Sequence, residues 1–139
     1  MKRHDALAAL SRDHHHALVV AQRLKRATDS TAAEARDRFL EYWRADGERH
    51  FREEEDVLLP AYAGFSDLEE PIVARVLVDH VRIRRLAHEM ASDNPSLDAL
   101  HTLGGQLGTH VRREERELFP LIEQALPERE LDRLVQLLS

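Results

Sequence analysis

Residues 50–60 read HFREEEDVLLP and residues 110–120 read HVRREERELFP, so one motif is written twice in the chain. In each copy a histidine stands four residues before a glutamate, and a second glutamate, a leucine and a proline follow. Residues four apart lie on the same face of an α-helix, one turn from each other. Each motif therefore directs an imidazole and a carboxylate toward a single point. The two pairs are His50 with Glu54 and His110 with Glu114.

The composition predicts one globular domain over residues 1–139. The chain has 42% hydrophobic and 33% charged residues, which is typical of a folded protein. No stretch approaches the roughly 18 consecutive apolar residues of a membrane span. The first residues, MKRHDALAALSRDHHH, lack the apolar centre of a signal peptide. We therefore expect a cytoplasmic protein that does not bind membranes.

Residue counts exclude several kinds of chemistry. The chain has no cysteine, which excludes disulfides, thiolate ligands, iron–sulfur clusters and a cysteine nucleophile. The net charge is −6, and basic residues are interspersed with acidic ones, which argues against nucleic-acid binding. Nine histidines are unusually many for 139 residues and direct attention to metal binding.

Helical periodicity runs through the whole chain, and glycine and proline are few. The pattern predicts an all-α protein, an antiparallel up-down four-helix bundle with a short extra C-terminal helix. The predicted helices run from Asp5 to about Ala27, from Ala32 to Leu59, from a cap at Ser66 or Asp67 to Ala91, from Leu97 through a kink at Pro120, and from Pro127 onward.

The two halves of the predicted bundle repeat the same order of residues. An Asp-His pair on one helix precedes the His-x3-Glu motif on the next, as Asp13-His14 in the first half and Asp79-His80 in the second. His14 is favoured over its neighbours because Leu7 and Leu10 precede it at helical spacing. His15 remains an alternative or an additional ligand.

These side chains form a candidate site for two metal ions. A buried glutamate is costly unless a cation compensates its charge, and a carboxylate can bridge two ions. Imidazole and carboxylate donors without sulfur favour iron or manganese, with zinc a weaker candidate. A single His-x3-Glu on a helix is more often a surface pair. The coincidence of two such motifs and two further inward histidines favours metal. The candidate ligands are His14, His50, Glu54, His80, His110 and Glu114.

Residues beside the motifs carry simpler predictions. Glu55 and Glu115 lie about 100° around the helix from the candidate ligands, so they face solvent or make an outer hydrogen bond. The neighbouring arginines are predicted to form a solvated charged face. They are Arg52, Arg112, Arg113 and Arg116.

The order lone His, His-x3-Glu, lone His, His-x3-Glu resembles the hemerythrin-like (HHE cation-binding) domain family over nearly the whole chain. The resemblance implies a non-haem di-iron centre with an oxo or hydroxo bridge. Such a centre interacts with O2, hydrogen peroxide or nitric oxide. The resemblance leaves open whether the protein turns over a substrate. The sequence names no protein partner.

One departure from the family pattern bears on function. Oxygen-carrying hemerythrins have a second histidine one turn after the third-helix ligand, where this chain has Arg84. One ligand fewer leaves the metal ions more open, which favours reaction over reversible oxygen storage. We therefore expect a role in sensing, stress response or peroxide breakdown rather than pure oxygen carriage.

Other functions remain open at this stage. Ferritin-like di-iron proteins use a Glu-x2-His motif, which is the reverse order and spacing. An iron-responsive regulatory or interaction module without turnover would share the ligands proposed here, as would a reversible oxygen carrier. A plain helical bundle with surface histidines would bind nickel or zinc only adventitiously.

Overall fold

The computed structural model describes residues 3–92 and 94–138, and these residues form an all-α bundle. None of the helices among them is long and apolar enough to cross a membrane. The helices are α1 (Asp5–Lys25), α2 (residues 32–63), α3 (Pro71–Ala91), α4 (residues 97–125) and α5 (Glu128–Leu137).

The apolar core is divided into two clusters, and this division shows that the four long helices are antiparallel. One cluster joins the C-terminal halves of α1 and α3 to the N-terminal parts of α2 and α4. The other joins the opposite halves of the same helices, together with α5. Helical spacing from His14 and His80 predicts that Leu18 and Leu77 face inward. In the structure they are 37% and 39% exposed. Their neighbours Ala17 and Val76 take the buried positions instead.

Local sequence signals explain most helix starts. The Ser96 hydroxyl accepts a hydrogen bond from the Ala99 amide and caps α4. The Nδ1 atom of His4 accepts from the Ala6 amide and caps α1. The predicted start of α3 was wrong, because Asp67 forms a local turn with the Glu69 amide and the helix begins at Pro71. Proline suits the first helical turn because that turn needs no amide donor.

Each motif contains one wide π-helical turn, which begins at the inward glutamate. The turns are Glu54–Leu58 and Glu114–Leu118, and each is closed by an amide that donates to the carbonyl five residues earlier. The α-helix resumes at once, with Pro60 or Pro120 in its first turn. Both helices therefore continue past their proline, and α2 does not end at Leu59. Such wide turns are frequent at functional sites.

A third wide turn, Trp43–Gly47, explains a glycine that is otherwise unfavourable within a helix. A Cβ atom on Gly47 would lie 2.6 Å from the Trp43 ring and 3.0 Å from the Tyr42 ring. Glycine therefore makes room for the two aromatic side chains. Tyr42 is buried beside this turn.

Replacing Gly104 by alanine is expected to lower the free energy of unfolding by about 1–3 kcal/mol, through overpacking. A Cβ atom there would lie 2.7 Å from the Ala21 carbonyl oxygen and 2.8 Å from the Lys25 amide nitrogen, so α1 and α4 would have to separate. Urea unfolding followed by circular dichroism measures the change. Gly105→Ala is the matched control, since no atom lies within 4 Å of its added Cβ. Equal stability of the two variants would contradict close α1–α4 packing at Gly104.

Candidate metal centre

The six predicted ligands meet between the two apolar clusters, one or two from each of the four long helices. All six are at most 4% exposed, and Glu54 and Glu114 are fully buried. His15 is exposed at the bundle surface and does not join the group. The structure therefore places His14, not its neighbour, beside the other five side chains.

Each central carboxylate contacts histidines on both sides of the bundle. Glu54 lies 3.0 Å from Nε2 of His50 through one oxygen and 3.0 Å from Nε2 of His80 through the other. Glu114 lies 2.8 Å from Nε2 of His14 through one oxygen and 3.1 Å from Nε2 of His110 through the other. Both glutamates thus stand between two histidine pairs.

The contacts define two groups of four side chains, each able to hold one metal ion. In each group the candidate ligand atoms lie within 4.8 Å of one another. We call them half-site 1 and half-site 2, and both glutamates belong to both. Half-site 1 adds His14 and His50, and half-site 2 adds His80 and His110.

The donor atoms of half-site 2 are buried without hydrogen bonds. Three nitrogen–oxygen pairs among them are 3.0–3.5 Å apart, namely His80–Glu54, His80–Glu114 and His110–Glu114. None of the four atoms has hydrogen-bond geometry with a residue that the structure describes. A buried polar atom without a partner is costly in a folded protein. A cation between these atoms would satisfy all of them, so the residues fit a metal ion. The atoms are Glu54 Oε1, His80 Nε2, His110 Nε2 and Glu114 Oε2.

The opposite nitrogen of every inward histidine contacts a carboxylate on a neighbouring helix. Together the four hydrogen bonds form a closed ring around the bundle. Such an outer carboxylate fixes the imidazole ring and places its proton on Nδ1, which leaves Nε2 free to bind a metal. The pairs are Asp13 with His50 (3.1 Å), Glu55 with His80 (2.6 Å), Asp79 with His110 (3.1 Å) and Glu115 with His14 (2.6 Å).

The outer hydrogen bond predicted as one option for Glu55 and Glu115 is confirmed. The same role of Asp13 and Asp79 was not predicted, although the repeated Asp-His dipeptide was a visible signal. The prediction that Arg113 belongs to a solvated charged face was wrong, because its guanidinium donates to Asp79 at 2.7 Å.

An arginine contacts each of the four outer carboxylates. Burial alone would raise the pKa of these acids, but hydrogen bonds from histidine and other side chains lower it below the ordinary value in each case. The carboxylates therefore stay ionised and remain acceptors for the histidines. The pairs are Arg49 with Asp13, Arg84 with Glu55, Arg113 with Asp79 and Arg3 with Glu115.

Without metal, histidine protons would compensate the buried charge of Glu114. Burial disfavours a charged histidine, yet the neighbouring carboxylates raise the pKa of His80 to about 10 and that of His110 to about 9. Burial also opposes the charge of Glu114, but His110 and other partners hold its pKa well below the ordinary value. A divalent cation entering this cluster would replace those protons.

The family comparison agrees with this arrangement. The model of the hemerythrin HHE cation-binding domain matches residues 5–122, which include all six inward ligands. Neither a curated protein nor a solved structure matches the chain significantly. The match extends over most of the chain and from α1 into the last part of α4. The chain therefore belongs to the hemerythrin HHE cation-binding domain family.

Proposed function

We propose that the protein is a non-haem di-iron protein whose centre reacts with O2, hydrogen peroxide or nitric oxide. Half-site 1 and half-site 2 would each hold one iron ion. The observation that carries the proposal is the sharing of Glu54 and Glu114 between both groups of four ligands. Shared carboxylates bring two cations together and balance part of their charge.

The donor set supports iron without excluding related metals. Each half-site offers two imidazole nitrogens and two carboxylates, a set that also suits manganese. Four donors could satisfy a tetrahedral zinc ion, whereas an octahedral ion would keep positions for solvent or a small molecule. Iron is proposed because the family pattern implies it.

Arg84 supports reaction over reversible oxygen carriage. Its guanidinium donates to Glu55 at 2.7 Å, so the side chain at this position pairs with an outer carboxylate. Bound iron would supply redox chemistry and sites for small ligands. The buried histidines and their apolar surroundings would restrict access to small molecules. We propose a role in sensing, stress response or peroxide breakdown in the cytoplasm.

An iron-responsive module without turnover is the second candidate. The ring of histidine–carboxylate hydrogen bonds joins each long helix to the next, so metal loading would affect the geometry of the whole bundle. Peroxide consumption by the loaded protein distinguishes the candidates. Turnover supports a reactive centre, whereas stoichiometric iron without turnover supports a sensor or carrier.

The central test is anaerobic loading of the untagged protein with ferrous iron, followed by exposure to air. We expect two iron ions per chain and new charge-transfer absorption in the near ultraviolet. Substoichiometric iron would refute the di-iron proposal. Parallel loading with manganese and zinc tests the choice of metal.

Replacing His14 by alanine is expected to reduce iron from two ions per chain to one. His14 belongs to half-site 1 alone, and half-site 2 keeps all four donors. Metal analysis after removal of weakly bound iron measures the stoichiometry. His15→Ala, the adjacent exposed histidine, is the control and should retain two ions. Loss of iron from His15→Ala with retention by His14→Ala would reverse the assignment.

A further inference from the structure

Arg3 lies before the first residue of α1 and reaches across to α4. One guanidinium nitrogen donates to Glu123 at 2.6 Å, and the other donates to the backbone carbonyl of Glu115 at 2.8 Å and to its carboxylate at 3.2 Å. The backbone amide of His4 donates to the second oxygen of Glu123 at 2.6 Å. These contacts fix the N-terminal segment against the helix that carries Glu114.

Arg3 acts on the outer partner of His14. One carboxylate oxygen of Glu115 accepts from Arg3, and the other accepts from Nδ1 of His14 at 2.6 Å and from the Ser11 hydroxyl at 2.8 Å. The Glu115 side chain is 30% exposed, so it could turn toward water if it were not held on both oxygens. The guanidinium of Arg3 also lies 5.5 Å from the centre of the Phe119 ring, which stacks on His14.

Arg84 makes corresponding contacts in half-site 2, to one outer carboxylate and one aromatic ring. Unlike Arg3, it binds the same carboxylate oxygen as the histidine. It donates to the Glu55 oxygen that contacts Nδ1 of His80, at 2.7 and 2.6 Å respectively. Its guanidinium lies 5.6 Å from the centre of the Phe51 ring, and that ring stacks on His80 at 3.9 Å. Each half-site thus has one arginine that holds both the carboxylate and the aromatic ring beside one histidine. These contacts come from α3 in half-site 2 and from the N-terminal segment in half-site 1.

We propose that Arg3 and Arg84 are matched positioning residues, each setting the metal affinity of one half-site. Arg3 would act on half-site 1 through Glu115 and His14, and Arg84 on half-site 2 through Glu55 and His80. This inference rests on the proposed two-metal function. Loss of an outer partner of a metal-binding histidine typically weakens metal binding by about 10–100-fold. Arg84 stands where oxygen-carrying hemerythrins have a further histidine ligand. In this proposal it acts through Glu55 and does not bind metal itself.

The test compares ferrous iron affinities by anaerobic competition with a chelator. Arg3→Ala is expected to lower the affinity for one of the two ions by about tenfold or more, and Arg84→Ala to lower the affinity for the other. Arg12→Ala and Arg82→Ala are the controls, since both are exposed arginines on α1 and α3. Circular dichroism and urea unfolding of the metal-free variants measure stability separately.

Two further variants assign the effect to a half-site. In a His14→Ala background only the ion of half-site 2 should remain, and Arg84→Ala should weaken it whereas Arg3→Ala should not. In a Glu115→Gln background Arg3→Ala should add little, because its effect passes through Glu115. Unchanged affinities with lower metal-free stability would show a purely structural role and overturn the inference.

The outcome also separates this inference from the proposed function. If the wild type and both controls bind two ions and Arg3→Ala binds them equally well, the positioning role fails while the di-iron proposal stands. If the wild type does not bind two ions, both fail. An equal loss at both half-sites from either single variant would also overturn the matched assignment.

Discussion

Replacing Glu114 by glutamine is expected to remove both metal ions from the protein, whereas loss of a single histidine should remove one. The Glu114 carboxylate contacts His14 and His110 through different oxygens, so it belongs to both half-sites. Glutamine keeps the size of the side chain but offers one weak oxygen donor and no charge. Metal analysis after ferrous loading measures the remaining ions, and Glu54→Gln should behave in the same way.

Glu117→Gln on the same helix is the matched control, because Glu117 is exposed and lies outside both half-sites. It should retain two ions per chain. Far-ultraviolet circular dichroism separates loss of ligands from loss of fold. A folded Glu114→Gln variant that keeps two ions would disprove the shared-carboxylate arrangement. Retention of one ion would show that Glu114 serves a single half-site.

The positions of the inward side chains could be predicted because they depend on local periodicity. A histidine and a glutamate four residues apart share a helix face, and the apolar residues around them show which face is buried. The same reasoning favoured His14 but left His15 as an alternative or additional ligand. The wide turns at Glu54 and Glu114 could not be predicted, since a π-turn and an α-turn begin with the same hydrophobic pattern. The trailing prolines were the visible sign, and they were interpreted as helix ends or kinks.

The outer contacts depend on tertiary packing and could be predicted only in part. The angle of Glu115 around the helix left two options, solvent exposure or an outer hydrogen bond, and did not identify a partner. Arg3 and Glu115 are 112 positions apart, and no periodic pattern relates them. Arg113 looked like part of a charged surface because the sequence does not show that Asp79 of α3 lies beside it. Resemblance to a family supplied the expected metal, which residue spacing alone did not determine.

The two half-sites are related by a near two-fold repeat, but different parts of the chain complete them. Both use one Asp-His helix, one His-x3-Glu helix and one phenylalanine stacked on a histidine. Half-site 2 is completed within the long helices, because Arg84 lies on α3. In half-site 1 the corresponding contacts come from Arg3, which precedes α1. We therefore expect the half-sites to differ in affinity when the N-terminal segment is altered, even though their ligands are equivalent.

Raising the pH from about 6.5 to 9.5 is expected to destabilise the metal-free protein by at least about 2 kcal/mol. Nearby carboxylates overcome burial and raise the pKa of His80 to about 10 and of His110 to about 9. The stability that comes from a raised histidine pKa is fully present below the unfolded-state pKa near 6.5. It is lost as the pH rises through the folded-state pKa values. Urea unfolding of metal-free protein at several pH values measures the loss.

Acid should destabilise the metal-free protein for the opposite reason. Burial opposes the charge of Glu114 and Asp79, but neighbouring groups lower the pKa of both carboxyls. The contribution of these carboxylates to the free energy of unfolding is therefore present above about pH 4.5 and declines below it. The metal-free protein should therefore be most stable near pH 5–6.5.

Metal must displace the histidine protons. The apparent metal affinity should therefore rise with pH between about 6.5 and 9.5, where the metal-free protein becomes less stable. Calorimetry in buffers of different ionisation enthalpy should detect proton release on loading at pH 7. If the metal-free protein is equally stable at pH 6 and 9.5 and loading releases no protons, its histidines are neutral and do not compensate the buried charge of Glu114.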